Sequence, residues 1–179
     1  MVHFHKSKEF KDVFKKIQRF DSNDGHAMYD YTSDGYISIN NALRSGTLSQ
    51  NIKKRVDAII KAMSKSSRGV KVFKGVVYRG TELPANVKDA LQPGSTYSDP
   101  AFLSTSSRPD GAFKGFDDMI LFQIESKSGV NIARQSHKKG EDEILFRPNT
   151  LFRIKSRQDE KVSEIYGRKL TFIGMEEIH

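Results

Sequence analysis

The hydrophobic period of this chain changes once, near residue 70, and that change limits the folds open to it. Before it the pattern is helical. "EFKDVFKKIQRF" sets Phe10, Val13, Phe14, Ile17 and Phe20 on one stripe with lysines around it. "SINNALRSG" reads as a short helix stopped by Gly46. "SQNIKKRVDAIIKAMSKSSRG" reads as a longer one, with Ser49 as N-cap, a stripe of Ile52, Val56, Ile59 and Met63, and Gly69 past its end. "DSNDGHAMYDYTSDGY", dense in Asp, Ser, Asn and Gly, reads as turns. From residue 71 the runs become short and rich in Val, Ile, Phe and Tyr: "VKVFKGVVYRG", "AFLSTSS", "MILFQIES", "EILF", "LFRIKSR" and "KLTFIGMEEI". Helices followed by strands predict an α+β fold rather than a doubly wound parallel sheet.

At 179 residues the chain fits a single domain, residues 1–179, with a helical part over 1–70 and a β-core over 71–179. It has no cysteine, which excludes disulfides, thiolate nucleophiles and cysteine zinc sites. No apolar run has the length of a membrane span, and "MVHFHKSKEFKDVF" lacks the apolar stretch of a secretory signal. The net charge of +8 is uneven, with 13 Lys and Arg against 7 Asp and Glu in residues 1–70. That excess fits either a lysine-rich solvated surface or an acidic partner. A stacking surface of alternating aromatic and basic residues, as in single-strand binders, is absent, so nucleic acid is not the expected partner.

Three short stretches carry candidate chemistry. "VVYRG" ends an apolar strand in Arg79 and Gly80, a bidentate phosphate-binding cation beside a backbone that a ligand can approach. "FLSTSS" runs a strand into the hydroxyls of Ser104, Thr105 and Ser106, with no nucleophile elbow around them. "KKGEDEILF" leads an apolar strand with Glu141 and Glu143, which share a face if the strand begins at 141. Two such carboxylates expect positive charge between or before them. Each stretch alone also reads as ordinary surface: a salt-bridged arginine, a polar turn, a charged strand edge. No GxGxxG or P-loop is present, and the histidines lack metal-ligand spacing apart from a terminal His-x-His.

Taken in order, Arg79, Ser104-Thr105-Ser106 and Glu141-x-Glu143 resemble the arginine–serine–glutamate class of mono-ADP-ribosyltransferases, the family of bacterial toxins and some phage enzymes. "YTSDGYISINNALRSG" resembles the family's segment before the arginine, and "RPNTLFRI" its strand–turn–strand after the glutamates. The resemblance implies an α+β ADP-ribosyltransferase fold: N-terminal helices packed on a two-sheet, mostly antiparallel β-core with a central NAD cleft. It implies NAD as substrate, no metal, and Glu143, Glu141, Ser104 and Arg79 as the catalytic set. Glu143 would stabilise an oxocarbenium-like ribose, Arg79 would hold phosphate, Ser104 would orient Glu143, and Glu141 would address the acceptor. A glutamate at the first position implies arginine as acceptor.

The same resemblance assigns the NAD side to Arg79, Gly80, Ser104, Thr105, Ser106 and Arg108. Phe113 is its stacking candidate in "SRPDGAFKGFDD", with Phe116 as competitor. Tyr31, Asn40 and Arg44 stand on the adenosine side, and Asn40 equally reads as a helix cap. "ARQSHKKG" takes the place of the substrate-recognition loop, with no aromatic between Ile132 and Glu141. The expected enzyme is a monomer that modifies an arginine of a target protein. It is expected to be secreted or injected and to act in the cytosol of a target cell. Two other readings stay open: an NAD glycohydrolase, using the same Glu143, and a basic binding module with an inactive site.

Overall fold

The computed structural model describes residues 22–64, 70–112, 114–134, 136–137, 142–162 and 167–178. The stripe from Phe10 to Phe20 lies outside them. The chain divides into two compact units, Met1–Val70 with Arg134–Lys139, and Lys71–Ala133 with Gly140–His179.

In the first unit, α1 (Ser22–Asp30) runs into a π-helical segment, Tyr31–Gly35, and then α2 (Tyr36–Ser45). The stretch expected to form turns is therefore helical. Polar residues normally weaken a helix by offering the backbone other partners. Here Thr32, Ser33 and Ser38 turn their hydroxyls back onto the carbonyls of Tyr29, Asp30 and Gly35, three residues earlier. Burial of Met28, Tyr31 and Ile39 supplies the stabilisation that local propensity lacks. Gly46 ends α2 in the left-handed conformation, φ 73°, as its position predicts. Helix α3 (Gln50–Ser64) packs against α1 and buries Val56, Ile59, Ala62 and Met63. Its N-terminus is capped by Ser49, whose Oγ accepts the Ile52 N–H at 3.2 Å. Arg55 of α3 donates to Asp30 at 2.5 Å. Gly35 leaves room there, because a Cβ would lie 2.6 Å from that guanidinium.

The second unit holds nine strands among the described residues: β1 (Lys71–Val72), β2 (Gly75–Thr81), β3 (Thr96–Tyr97), β4 (Leu103–Ser106), β5 (Ile120–Ser126), β6 (Val130–Asn131), β7 (Glu143–Phe146), β8 (Phe152–Val162) and β9 (Lys169–Glu177). A short helix, α4 (Ala85–Ala90), follows β2. All pairings are antiparallel except β5 with β9. The strands form one hydrogen-bonded sheet, in the order β1-β6-β7-β4-β2-β5-β9-β8-β3, where two separate sheets were expected. Strand β4 meets β2 at a single register pair, Tyr78 with Ser106. That link joins a four-strand half to a five-strand half.

Both halves contribute to one core. Leu103, Ile144 and Phe146 come from the first, Val77, Phe122 and Ile173 from the second, each at most 1% exposed. Strand β5 is buried along one face and, on the other, at Leu121. Ile120, Phe122 and Ile124 enter that core, whereas Leu121 joins Met119, Ala112 and Leu170 in a smaller cluster on the other side. The 3₁₀ turn Pro109–Ala112 belongs to this second layer.

Candidate active site

Strand pairing brings the three motifs together. Tyr78 opposite Ser106 and Ser106 opposite Glu143 set β2, β4 and β7 side by side. Alternation along β4 buries Leu103 and Thr105 on one face and leaves Ser104 and Ser106 on the other, half-buried. Ser104 is then the diagonal cross-strand neighbour of Glu143, within reach of its carboxylate. The Ser104 hydroxyl donates to Glu143 Oε1 at 2.7 Å. The Glu143 side chain is 9% exposed, and its backbone carbonyl accepts the Ile132 N–H at 3.0 Å. Arg79, half-buried on β2, donates from Nη1 to the Ser104 carbonyl at 2.7 Å. Thr105 works from the opposite face, donating to the Ile144 carbonyl at 2.7 Å and tying β4 to β7.

Strand β7 starts at Glu143. Glu141 lies outside the described residues, as does Phe113. Asp142, between the glutamates, is half-buried and accepts the Ser107 N–H on its carbonyl at 3.0 Å.

The turn after β4 is fastened to the same strands. Ser106 Oγ accepts the Arg108 N–H at 3.1 Å, and a Cβ on Gly111 would lie 2.4 Å from that oxygen. Gly80 admits the backbone of this turn: a Cβ there would stand 2.1 Å from the Ala112 carbonyl oxygen. The close approach anticipated at Gly80 is therefore made by the protein's own chain. Arg108 lies over the turn and donates to Asp110 twice, Nε to Oδ1 at 3.1 Å and Nη2 to Oδ2 at 2.6 Å, with both side chains 59% exposed. This hydrogen-bonded pair raises the Arg108 pKa and holds the Asp110 carboxyl below the usual carboxylate range. A depression of about 200 Å³ is lined by Ser104, Ser106, Arg108, Asp110, Lys114 and Glu143. It brings the exposed cations Arg108 and Lys114 together with the carboxylates of Asp110, Asp142 and the buried Glu143.

Asp110 and Lys114 were not singled out from sequence. "SRPDG" reads as a turn, and only the structure shows its aspartate pairing with its arginine. A carbon-13 titration of the Asp110 carboxyl should show a midpoint below that of an ordinary aspartate. Arg108→Ala should return it upward. Because the folded-state value is lowered, the ion pair is intact at neutral pH and is lost as pH falls through that value. Phe116 is partly exposed, and its carbonyl and that of Asp117 accept the Arg168 guanidinium, the latter at 3.0 Å.

The remaining candidates lie in the helical unit. Tyr31 is buried, in the π-helical segment. Asn40 stands inside α2 rather than at its cap, is 8% exposed, and donates to the Tyr31 hydroxyl at 3.2 Å. Arg44 is exposed in the last turn of α2.

Among relatives is a putative NAD(+)–arginine ADP-ribosyltransferase, Mav, of Mycobacterium avium, 38% identical over 145 residues, covering 79% of this chain and 17% of Mav. The NAD(+)–protein-arginine ADP-ribosyltransferase Tre1 of Serratia proteamaculans is 33% identical over 135 residues, covering 75% of this chain and 29% of Tre1. The chain thus spans less than a third of either relative. The crystal structure of the ADP-ribosyltransferase Vis in complex with agmatine superposes with a TM-score of 0.70 at 24% identity, over 99% of this chain and 88% of Vis, a likeness of fold. The model of the ADP-ribosyltransferase exoenzymes matches residues 5–173, nearly the whole sequence, and the chain belongs to that family.

Proposed function

We propose that this protein transfers ADP-ribose from NAD to an arginine side chain of a target protein, releasing nicotinamide. The observation that carries the reading is the 2.7 Å hydrogen bond from Ser104 to the buried Glu143, with Arg79 anchored on the same serine's carbonyl. Cleaving the ribose–nicotinamide bond builds positive charge on the sugar. A carboxylate oriented before the reaction stabilises that charge without reorganising. Ser104 fixes one oxygen of Glu143. Arg79 and Arg108 are the phosphate-side cations, and Gly80, Thr105 and Ser106 shape the backbone between them. Phe113 is assigned to nicotinamide stacking, and Tyr31, Asn40 and Arg44 to the adenosine side.

Arginine as acceptor is supported by the names of the relatives and by Glu141. A guanidinium is protonated and a poor nucleophile, and a nearby carboxylate can position it and take a proton as the bond forms. The helical and sheet units are taken to act as one monomeric transferase domain. No helix among the described residues is long and apolar enough to cross a membrane. The family's exoenzyme character supports secretion or injection, with action in the cytosol of a target cell.

The test is labelling of a cell lysate with tagged NAD, wild type beside Glu141→Gln and Glu143→Gln. A labelled protein lost in both variants establishes transfer. If Glu141→Gln still releases nicotinamide, the glutamates divide the work as assigned. Nicotinamide release by the wild type with no labelled protein, and none on added arginine compounds, makes the enzyme a glycohydrolase. No nicotinamide at all overturns the enzymatic reading. Ser104→Ala removes a hydrogen bond to a charged group and should lower kcat for NAD cleavage about tenfold, with little change in KM.

A further inference from the structure

The depression beside Glu143 holds cations and carboxylates close together, and one pair is already joined. Arg108 binds Asp110 through two nitrogens, Nε to Oδ1 at 3.1 Å and Nη2 to Oδ2 at 2.6 Å. A guanidinium reads a phosphate by the same paired geometry. Asp110 therefore occupies donors that a nucleotide phosphate would use. A phosphate that took another edge of the guanidinium would still meet the Asp110 charge in the same depression.

The pair is not what holds the turn. The Arg108 N–H donates to Ser106 Oγ at 3.1 Å, and the Gly111 N–H donates to the Arg108 carbonyl at 3.2 Å. Gly80 lies against the Ala112 carbonyl at the end of the same turn. The backbone is thus fixed without either side chain. Both side chains are well exposed, so water competes for the pair and its net strength is small.

Charge decides what the pair does to a nucleotide. Arg108 and Lys114 stand against Asp110, Asp142 and Glu143, and a pyrophosphate brings two further negative charges. Glu143 is assigned to the reaction itself. The Asp110 bond is the larger cause of the raised Arg108 pKa, and Asp142 adds to it only through its charge. Asp110 is the carboxylate that holds the guanidinium.

We infer that Asp110 limits the affinity for NAD: its carboxylate occupies Arg108 as an internal competitor, which the pyrophosphate displaces when the dinucleotide binds. This rests on the NAD-dependent reading above. The exchange takes place between side chains, over a backbone held by other bonds. Because an exposed pair is weak, the competition lowers affinity by about two- to fivefold, and added salt reduces the effect.

The experiment measures equilibrium binding of ADP-ribose to the whole chain. ADP-ribose carries the same pyrophosphate and has no nicotinamide bond to cleave. Asp110→Asn keeps the shape of the side chain and removes its charge, and Asp110→Ser, also suited to a turn, does so independently. Both should bind ADP-ribose about two- to fivefold more tightly than wild type at low ionic strength, and should lower KM for NAD by a similar factor. A damaged fold would weaken binding and cannot imitate this gain. Asp110→Glu, which keeps the charge, should stay near wild type. In an Arg108→Ala background the gain from Asp110→Asn should shrink to less than half its size, because the contested guanidinium is gone. Equal or weaker binding in both Asp110 variants overturns the inference, as does a gain that persists undiminished without Arg108. A wild-type protein that binds ADP-ribose but releases no nicotinamide from NAD overturns the transferase reading, and the binding comparison still decides this inference.

Discussion

Glu143→Gln should lower NAD cleavage by about 10²–10³-fold while leaving the fold intact. The substitution keeps the shape of a side chain that is 9% exposed, and its amide oxygen can still accept the Ser104 hydroxyl. What it removes is the negative charge that the proposed role requires at the reacting sugar. The loss should therefore fall on kcat, with KM for NAD nearly unchanged, because the charge matters only as the bond breaks. The thermal midpoint should stay within a few degrees of wild type. Retention of more than a tenth of the wild-type rate would remove Glu143 from the role assigned to it.

Gly80→Ala should destabilise the protein by about 1–3 kcal/mol, as overpacking in a close-packed region does. Its added methyl would stand 2.1 Å from the Ala112 carbonyl oxygen and 3.2 Å from Met119 Sδ. The first obstacle is backbone, in a turn also fastened through Ser106 to β4, so no side-chain rotation relieves it. The turn must move, and Arg108 and Asp110 move with it. KM for NAD should rise together with the fall in denaturation midpoint. A variant with wild-type stability and wild-type KM would show that the turn does not rest on Gly80.

The two effects bear on how much of this protein its sequence displays. The strands that carry chemistry were legible because "VVYRG", "FLSTSS" and "EILF" each pair a run of apolar or β-branched residues with a polar end. Their order along the chain pointed to one site, and β2, β4 and β7 meet as neighbours. Helix α1 was not legible, since Ser, Asn, Asp and Gly argue against a helix until the packing of Met28 and Tyr31 is known. Strands β3 and β6, two residues each, exist only because Phe152 and Leu145 are there to pair with them. No local pattern could announce them. The bond between His137 and Tyr29 joins positions 108 residues apart, beyond the reach of any spacing rule.

Strand β9 lies between β5 and β8, parallel to the first and antiparallel to the second, and its Glu177 carboxylate accepts the Lys127 N–H at 2.6 Å and the Ser128 N–H at 2.8 Å. On a ribosome, Arg79, Ser104 and Glu143 are all synthesised before this strand exists. Strand β5, which backs the arginine strand, waits for residues 169–177 to supply its second neighbour. Such late, long-range pairing is slow compared with local helix formation. Translation thus makes these three residues early and completes the sheet that aligns them late, so a nascent chain carries them for some time without their final geometry.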